Sequence, residues 1–355
     1  ETKMIIPARR QYRVVTESNV PMKTRDGVTL YADVARPDSA EKFPVLLSRT
    51  PYGKQGVDDP NGSPHLFARY GYVAVVQDCR GRFESEGDYD TIFQEITDGY
   101  DAVEWAARLP WSNGRVGTMG QSYLGLTQYM IACNDPMPPS LQAMAPVSAS
   151  SDYHASWIYH TGGASLWGWM IPYAIAKGLN TLKRQGRKDL MEAMKQYVDG
   201  GDFTPRPGRF GPNAFTQLSE EWYRHLPIKD WGDLLKETAP YVKDHIAHAD
   251  DGEYWHRANV NRHAASVSVP MLHVTSWYDI FGEGGPSAYQ SIKAKSEFPM
   301  ARDGQRLIIG PWGHLLPYHA PNSRGTGDID FGPEALIDLN ETLLQWFDYW
   351  LKDQA

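Results

Sequence analysis

Arg115-Val116-Gly117-Thr118-Met119 runs directly into Gly120-Gln121-Ser122-Tyr123-Leu124-Gly125, and that into Leu126-Thr127-Gln128-Tyr129-Met130-Ile131-Ala132. The first stretch is a short apolar run of the kind that forms a buried strand, and the last reads as a helix. Ser122 therefore sits on a tight turn between strand and helix. Glycines at 120 and 125 remove Cβ atoms where backbone and helix crowd that turn. The helix begins beside Ser122, with its free N–H groups facing any negative oxygen formed there. A serine presented in this way is placed as a nucleophile, and the usual spacing of such an elbow is G-x-S-x-G. Here Leu124 stands two residues after the serine and Gly125 three, so the spacing differs by one. An ordinary Gly-rich turn needs no partners, whereas a nucleophilic serine needs a base and an acid at the ends of later strands.

Toward the N-terminus, residues 43–48 and 72–77 are continuous apolar runs and read as buried strands. Residues 95–109 place Ile96, Tyr100, Val103, Ala106 and Ala107 at helical spacing. Residues 12–22 and 28–35 alternate around Arg25-Asp26-Gly27, a hairpin signal, which puts two antiparallel strands at one edge. Toward the C-terminus, 141–147 is one more strand. From 152 to 261 no buried strand reads. Helix-like pieces at 166–179, 188–198, 220–225 and 238–248 are separated by Gly- and Pro-rich stretches such as 200–208. The strand pattern resumes at 270–275 and 306–310, and residues 333–351 form an amphipathic helix. Strands alternating with helices make this an α/β chain, with a mostly parallel sheet covered by helices on both faces and an inserted helical cap.

The two resumed strands carry the missing partners. Residues 270–275 lead into Ser276-Trp277-Tyr278-Asp279, and 306–310 into Pro311-Trp312-Gly313-His314. Serine, then acid, then histidine is the chain order of an α/β-hydrolase triad. The residue types follow from the chemistry. A serine hydroxyl is a weak nucleophile until a base takes its proton, and an imidazole does this near neutral pH. The carboxylate fixes the imidazole tautomer and stabilises its charged form. The candidate catalytic residues are therefore Ser122, Asp279 and His314. The division that follows is 1–151 for the first part of the α/β-hydrolase domain, 152–261 for the cap and 262–355 for the second part.

The chain of 355 residues is long enough for one large α/β domain with an insertion. A net charge of −8 is opposite to a nucleic-acid footprint. No apolar run approaches the roughly 20 residues that span a bilayer. Two cysteines, Cys79 and Cys133, are too few for a disulfide framework and read as buried small side chains. His245 and His248, with Asp244 and Asp250, lack a metal-ligand pattern and read as a solvated helix face. No phosphate-cradling glycine loop appears, so neither metal nor cofactor is expected. The first residue is Glu1 rather than Met, which leaves the compartment open.

With these residues assembled, the chain resembles the cocaine esterase and X-Pro dipeptidyl-peptidase family of serine hydrolases over residues 20–351. Gly120 to Gly125 matches the family's G-x-S-Y-x-G elbow, so the unusual spacing is itself a family feature. Trp277-Tyr278-Asp279-Ile280-Phe281 resembles its acid loop, with Ser276 where glycine is usual. Gly310-Pro311-Trp312-Gly313-His314 resembles its histidine loop, and residues 78–87 are similar to its D-x-R-G-x-x-x-S-E-G segment. The resemblance implies that Tyr52, in Arg49-Thr50-Pro51-Tyr52, supplies an oxyanion-hole hydroxyl, with the backbone N–H of Tyr123 as second donor. It also implies an aromatic acyl pocket at Trp157 and Phe281, to which Trp167, Trp169 and Tyr173 could add from the cap.

Members that act on α-amino acid esters carry carboxylates just after the catalytic acid, where this chain has Phe281 and Gly282. The implied activity is cleavage of small-molecule carboxylic esters, with amide cleavage, acylase or X-Pro dipeptidyl-peptidase activity as the alternative. An inactive binding protein on the same fold is the rival of another class. Family members usually continue past the last helix into a β jelly-roll domain. If Leu336, Leu339, Leu343, Leu344, Phe347 and Leu351 leave an apolar face uncovered, a second copy or a separate chain is expected to cover it.

Overall fold

The computed structural model describes residues 9–354, apart from 57–58, 60–61, 161, 196, 198–221, 315–323 and 327. β3 (Phe43–Thr50) and β4 (Val73–Asp78) are buried along almost their whole length, as are the C-terminal half of β5 (Ser112–Gln121) and all but one residue of β6 (Leu141–Val147). Parallel strands covered on both faces have this character. β1 (Val14–Lys23) and β2 (Thr29–Pro37) pair antiparallel at the edge, and β2 largely alternates buried with half-buried residues. A two-residue hairpin, β7 (Tyr159–His160) and β8 (Ala164–Ser165), belongs to the insertion. β9 (Leu272–Tyr278) and β10 (Arg306–Gly313) complete an eight-stranded sheet of order β1-β2-β4-β3-β5-β6-β9-β10. From β4 to β10 every neighbouring pair is parallel.

Helices cover both faces because each carries one apolar stripe. α1 (Ser63–Arg69) buries Phe67 and Ala68 on one face, beside the helix Leu339–Lys352. α2 (Phe93–Ala107) and α3 (Tyr123–Ile131) bury their stripes on the other. The helix Leu339–Lys352 starts at Asp338, whose carboxylate accepts from the Glu341 N–H at 2.9 Å. It directs Leu339, Leu343, Leu344, Phe347 and Leu351 into the sheet core. Leu336 and Tyr349 remain exposed at 39% and 55%. The helix therefore spends all of its leucines inside the chain, and its outer side carries Tyr349 with the half-buried Trp346 and Trp350.

Apart from the β7–β8 hairpin, the regular elements of the insertion between β6 and β9 are helices among its described residues. α4 (Trp167–Arg184) ends five residues later than the pattern suggests, and α5 (Lys188–Lys195) follows. Short helices Trp231–Leu234, Tyr241–Ala247 and Glu253–His256 come next. The stretch 200–208 lies outside the described residues, as do the last residue of the expected piece 188–198 and the first two of the piece 220–225. The solvated-face reading of His245 and His248, with Asp244 and Asp250, fails at His245. That ring is 2% exposed, with its centroid 5.7 Å from Tyr153, 5.4 Å from Tyr241 and 5.2 Å from Trp255. Aromatic side chains from elsewhere in the cap close over it. Burial pushes its pKa down to about 3.

Candidate active site

Loops at the carboxyl ends of β3, β5, β9 and β10 supply Tyr52, Ser122, Asp279 and His314, where open α/β sheets bind their ligands. Ser122 has φ +60° and ψ −124°, a conformation rare for a residue with a side chain. Its N–H donates to Val147 O at 2.9 Å, and its carbonyl accepts from Gly125 and Leu126 at 2.9 and 2.8 Å. The glycines answer to this geometry. A Cβ on Gly120 would lie 2.4 Å from Leu124 Cβ, and one on Gly125 would lie 2.7 Å from Ala149 Cβ. The second glycine falls three residues after the serine because that is where α3 crosses the end of β6.

His314 bridges the other two groups. Its Nε2 is 3.0 Å from Ser122 Oγ, and its Nδ1 is 2.9 Å from Asp279 Oδ1. The Asp279 side chain is fully buried. Burial pushes its carboxyl up, but the hydrogen bond and charge of His314, the Phe281 N–H and the Ser148 hydroxyl outweigh this and hold it below the usual range. An ionised carboxylate can only accept, so Nδ1 carries the imidazole proton and Nε2 faces Ser122 as an acceptor. The histidine loop is pinned by the Gln121 side chain, which donates to His314 O. Ser276 also holds it, donating to Gly313 O at 3.3 Å. Ser276, which stands where the family pattern has glycine, thus ties the acid strand to the histidine loop.

Tyr52 is half-buried, with its hydroxyl within hydrogen-bond reach of Ser122 and 3.4 Å from the Tyr173 hydroxyl. Burial pushes its pKa up to about 12, against the opposing pull of those two hydroxyls, so it is a neutral O–H donor at working pH. The backbone N–H of Tyr123 opens α3 and has no partner inside the helix. The Tyr123 side chain points away into the core, where its hydroxyl accepts from Ile92 N–H at 3.2 Å.

The aromatic residues divide. Trp157 and Phe281 pack with centroids 4.7 Å apart, and Phe281 stands edge-on to His314 at 5.2 Å. Tyr173 meets Trp157 at 5.6 Å, and Trp169 stacks on Tyr173 at 6.1 Å. These four form one wall running from the histidine into the cap. Trp167 instead packs on Trp231 at 5.4 Å, inside the cap's own cluster. Lys177, one turn beyond Tyr173 on α4, is not among the residues the motifs point to, and its one sequence signal is a lysine on an otherwise apolar stretch. Its Nζ lies 3.4 Å from the Tyr52 ring centroid.

His154 is tied to Ala249 O at 2.8 Å and stacks on Tyr159, so it is held within the cap. Cys79 and Cys133 are free and buried. Among the described residues, no three or more His, Cys, Asp or Glu side chains are grouped to hold a metal ion. Nor is any helix there long and apolar enough to cross a membrane.

Strand order, elbow and site together make this an α/β-hydrolase fold. The family model for X-Pro dipeptidyl-peptidase (S15 family) matches residues 26–316, and the chain belongs to that family. Cocaine esterase of Rhodococcus sp. (strain MB1 Bresler) is 32% identical over 95% of this chain and 55% of its own length. A putative serine esterase of Mycobacterium bovis is 23% identical over 96% of this chain and 57% of its own. The chain thus spans about half the length of the curated relatives it matches. Among solved structures, an α-amino acid ester hydrolase superposes with TM-score 0.70 at 22% identity, covering 99% of this chain and 56% of that one. An aminopeptidase from a marine sediment Thaumarchaeota archaeon gives 0.67 at 23%, covering 100% and 57%. At such identities these structures speak for the fold alone.

Proposed function

We propose that the protein is a serine hydrolase that cleaves small-molecule carboxylic esters through an acyl-enzyme. The observation that carries this reading is the continuous chain from Ser122 Oγ to His314 at 3.0 Å and from His314 to Asp279 at 2.9 Å. Ser122 Oγ attacks the ester carbonyl carbon while its proton passes to His314 Nε2. The carbonyl oxygen becomes an oxyanion that accepts hydrogen bonds from the Tyr52 hydroxyl and the Tyr123 N–H. Collapse breaks the carbon–oxygen bond, and His314 returns the proton to the leaving alcohol. Water then enters, loses its proton to His314 and releases the acid, restoring Ser122. Trp157, Phe281, Tyr173 and Trp169 form the acyl wall, and Trp167 supports the cap behind it. The working division is a hydrolase domain of residues 1–151 and 262–355 with a cap at 152–261.

An X-Pro dipeptidyl-peptidase or acylase reading keeps the same chemistry and draws on the description of the matching family model. The peptidase needs an anion to hold a peptide amine, and Phe281 and Gly282 offer none next to Asp279. The test is a panel of p-nitrophenyl esters, from acetyl to aromatic acyl groups, run against X-Pro anilides. Ester turnover well above anilide turnover is expected. Fast anilide cleavage with negligible ester cleavage would replace the esterase reading by the peptidase one.

A further inference from the structure

The cap places a lysine on the face of the tyrosine beside the nucleophile. Lys177 is 2% exposed, and its Nζ sits 3.4 Å from the Tyr52 ring centroid and 5.1 Å from that of Tyr173. The contact is fixed from both sides by one buried arginine. Arg82 Nε donates to Pro51 O at 2.9 Å, next to Tyr52, and its Nη1 donates to Lys177 O at 2.8 Å. Asn180, one turn along α4, accepts from the Phe83 N–H at 3.2 Å. The sheet loop carrying the hydroxyl and the cap helix carrying the ammonium are thus locked to each other through residues 82–83.

We propose that Lys177 is a positioning residue that acts through Tyr52, making its hydroxyl a stronger donor to the oxyanion. A cation over a phenol ring is held by the ring's negative face. Its field draws electron density away from the hydroxyl oxygen, so the O–H becomes more acidic and donates more strongly as negative charge builds opposite it. Burial keeps water and salt from screening that field. The gain appears only when the oxyanion forms, so it belongs to turnover rather than to substrate binding. In this arrangement the cap supplies part of the oxyanion site's electrostatics as well as its walls.

The inference rests on the oxyanion role proposed for Tyr52, and the experiment separates the two. Turnover of a p-nitrophenyl ester is measured for wild type, Lys177→Met, Lys177→Arg, Tyr52→Phe and the Lys177→Met/Tyr52→Phe double variant. Each rate is expressed per site titrated with a fluorophosphonate, so unfolded protein is not counted. Losing a direct donor costs about 10²–10³ in turnover, so losing a group that acts through one is expected to cost less, about tenfold. The Michaelis constant should stay within about twofold for an effect confined to the transition state. Lys177→Arg, which keeps a cation over the ring, should retain most of the rate. In the Tyr52→Phe background, Lys177→Met should cost nothing further. A wild-type kcat in Lys177→Met overturns the inference. So does the same tenfold loss in the Tyr52→Phe background, which would show that Lys177 does not act through the hydroxyl. If Tyr52→Phe itself leaves kcat unchanged, the oxyanion assignment fails and takes this inference with it. A slow Tyr52→Phe beside an unimpaired Lys177→Met removes the lysine alone.

Discussion

The ends of the sheet strands and the helical cap build the site in different ways. Ser122, Asp279, His314 and Tyr52 each follow a strand directly, and the backbone of a parallel sheet sets their positions. The cap supplies Trp157, Tyr173, Trp169 and Lys177 from residues that meet only after α4 has packed onto loops far away in the chain. A triad on a sheet is rigid by construction, whereas a pocket wall on an insertion is fixed by contacts such as Arg82 to Lys177 O. On the proposed reading, the sheet holds the reaction and the cap its tuning and selectivity.

Substitutions at the sheet ends should have the largest effects. Asp279→Asn should lower kcat by about 10⁴, because the amide no longer enforces the tautomer with Nδ1 protonated. Steady-state rates on one activated ester check this, and a loss below tenfold would detach Asp279 from His314. Tyr52→Phe should cost about 10²–10³ in kcat with a much smaller change in the Michaelis constant. An unaltered kcat would reduce Tyr52 to packing.

Cap substitutions should alter selectivity more than rate. Trp157→Phe removes part of the wall against Phe281 and should lower the kcat/KM ratio of aromatic over acetyl esters by roughly tenfold. An equal fall for both esters would mean that Trp157 is cap core and lines no pocket.

The smallest effect is one of stability. His245 is buried with neither ring nitrogen hydrogen-bonded among the described residues, and its pKa is held down to about 3 by burial and by His248. The folded state therefore resists protonating it. The stability it allows is intact above the ordinary histidine value of 6.5 and is lost as pH falls from there toward 3. Linkage puts its share at about 2 kcal/mol between pH 7 and pH 5. His273, in β9, also resists protonation, with burial pushing its pKa down to about 4, but both of its nitrogens are bonded, to Tyr129 and Gln305. Urea titrations at pH 7 and 5 should show His245→Phe losing less stability than wild type. Equal losses would remove His245 as an acid-sensitive point of the cap.

What was legible in the sequence divides along the same line. The strands, the elbow and the two loops that bring Asp279 and His314 to Ser122 were legible because each is a local pattern with its candidate side chain at its end. The family elbow accounts for the glycine at 125 as a pattern, and its physical reason lies in the fold, where a Cβ there would meet Ala149 and the Val147 carbonyl. The cap's existence was legible from the lack of strand patterns, but its interior was not. His245 looked solvated because its neighbours in sequence are polar, while the side chains that bury it, Tyr153 and Trp255, come from other segments. Trp167 looked like a pocket residue beside Trp169, yet helix geometry turns the two to different partners, Trp231 and Tyr173. Lys177 stands out locally only as a lysine on an apolar stretch; the ring that its Nζ meets lies more than a hundred residues earlier.

The nucleophile is the central claim, and covalent capture tests it most directly. The protein is treated with a fluorophosphonate at neutral pH, digested and mapped by mass spectrometry, alongside Ser122→Ala. The expected result is a single adduct on Ser122, stoichiometric with lost ester turnover, and no adduct in Ser122→Ala. An adduct on another residue, or undiminished hydrolysis by Ser122→Ala, would contradict the account.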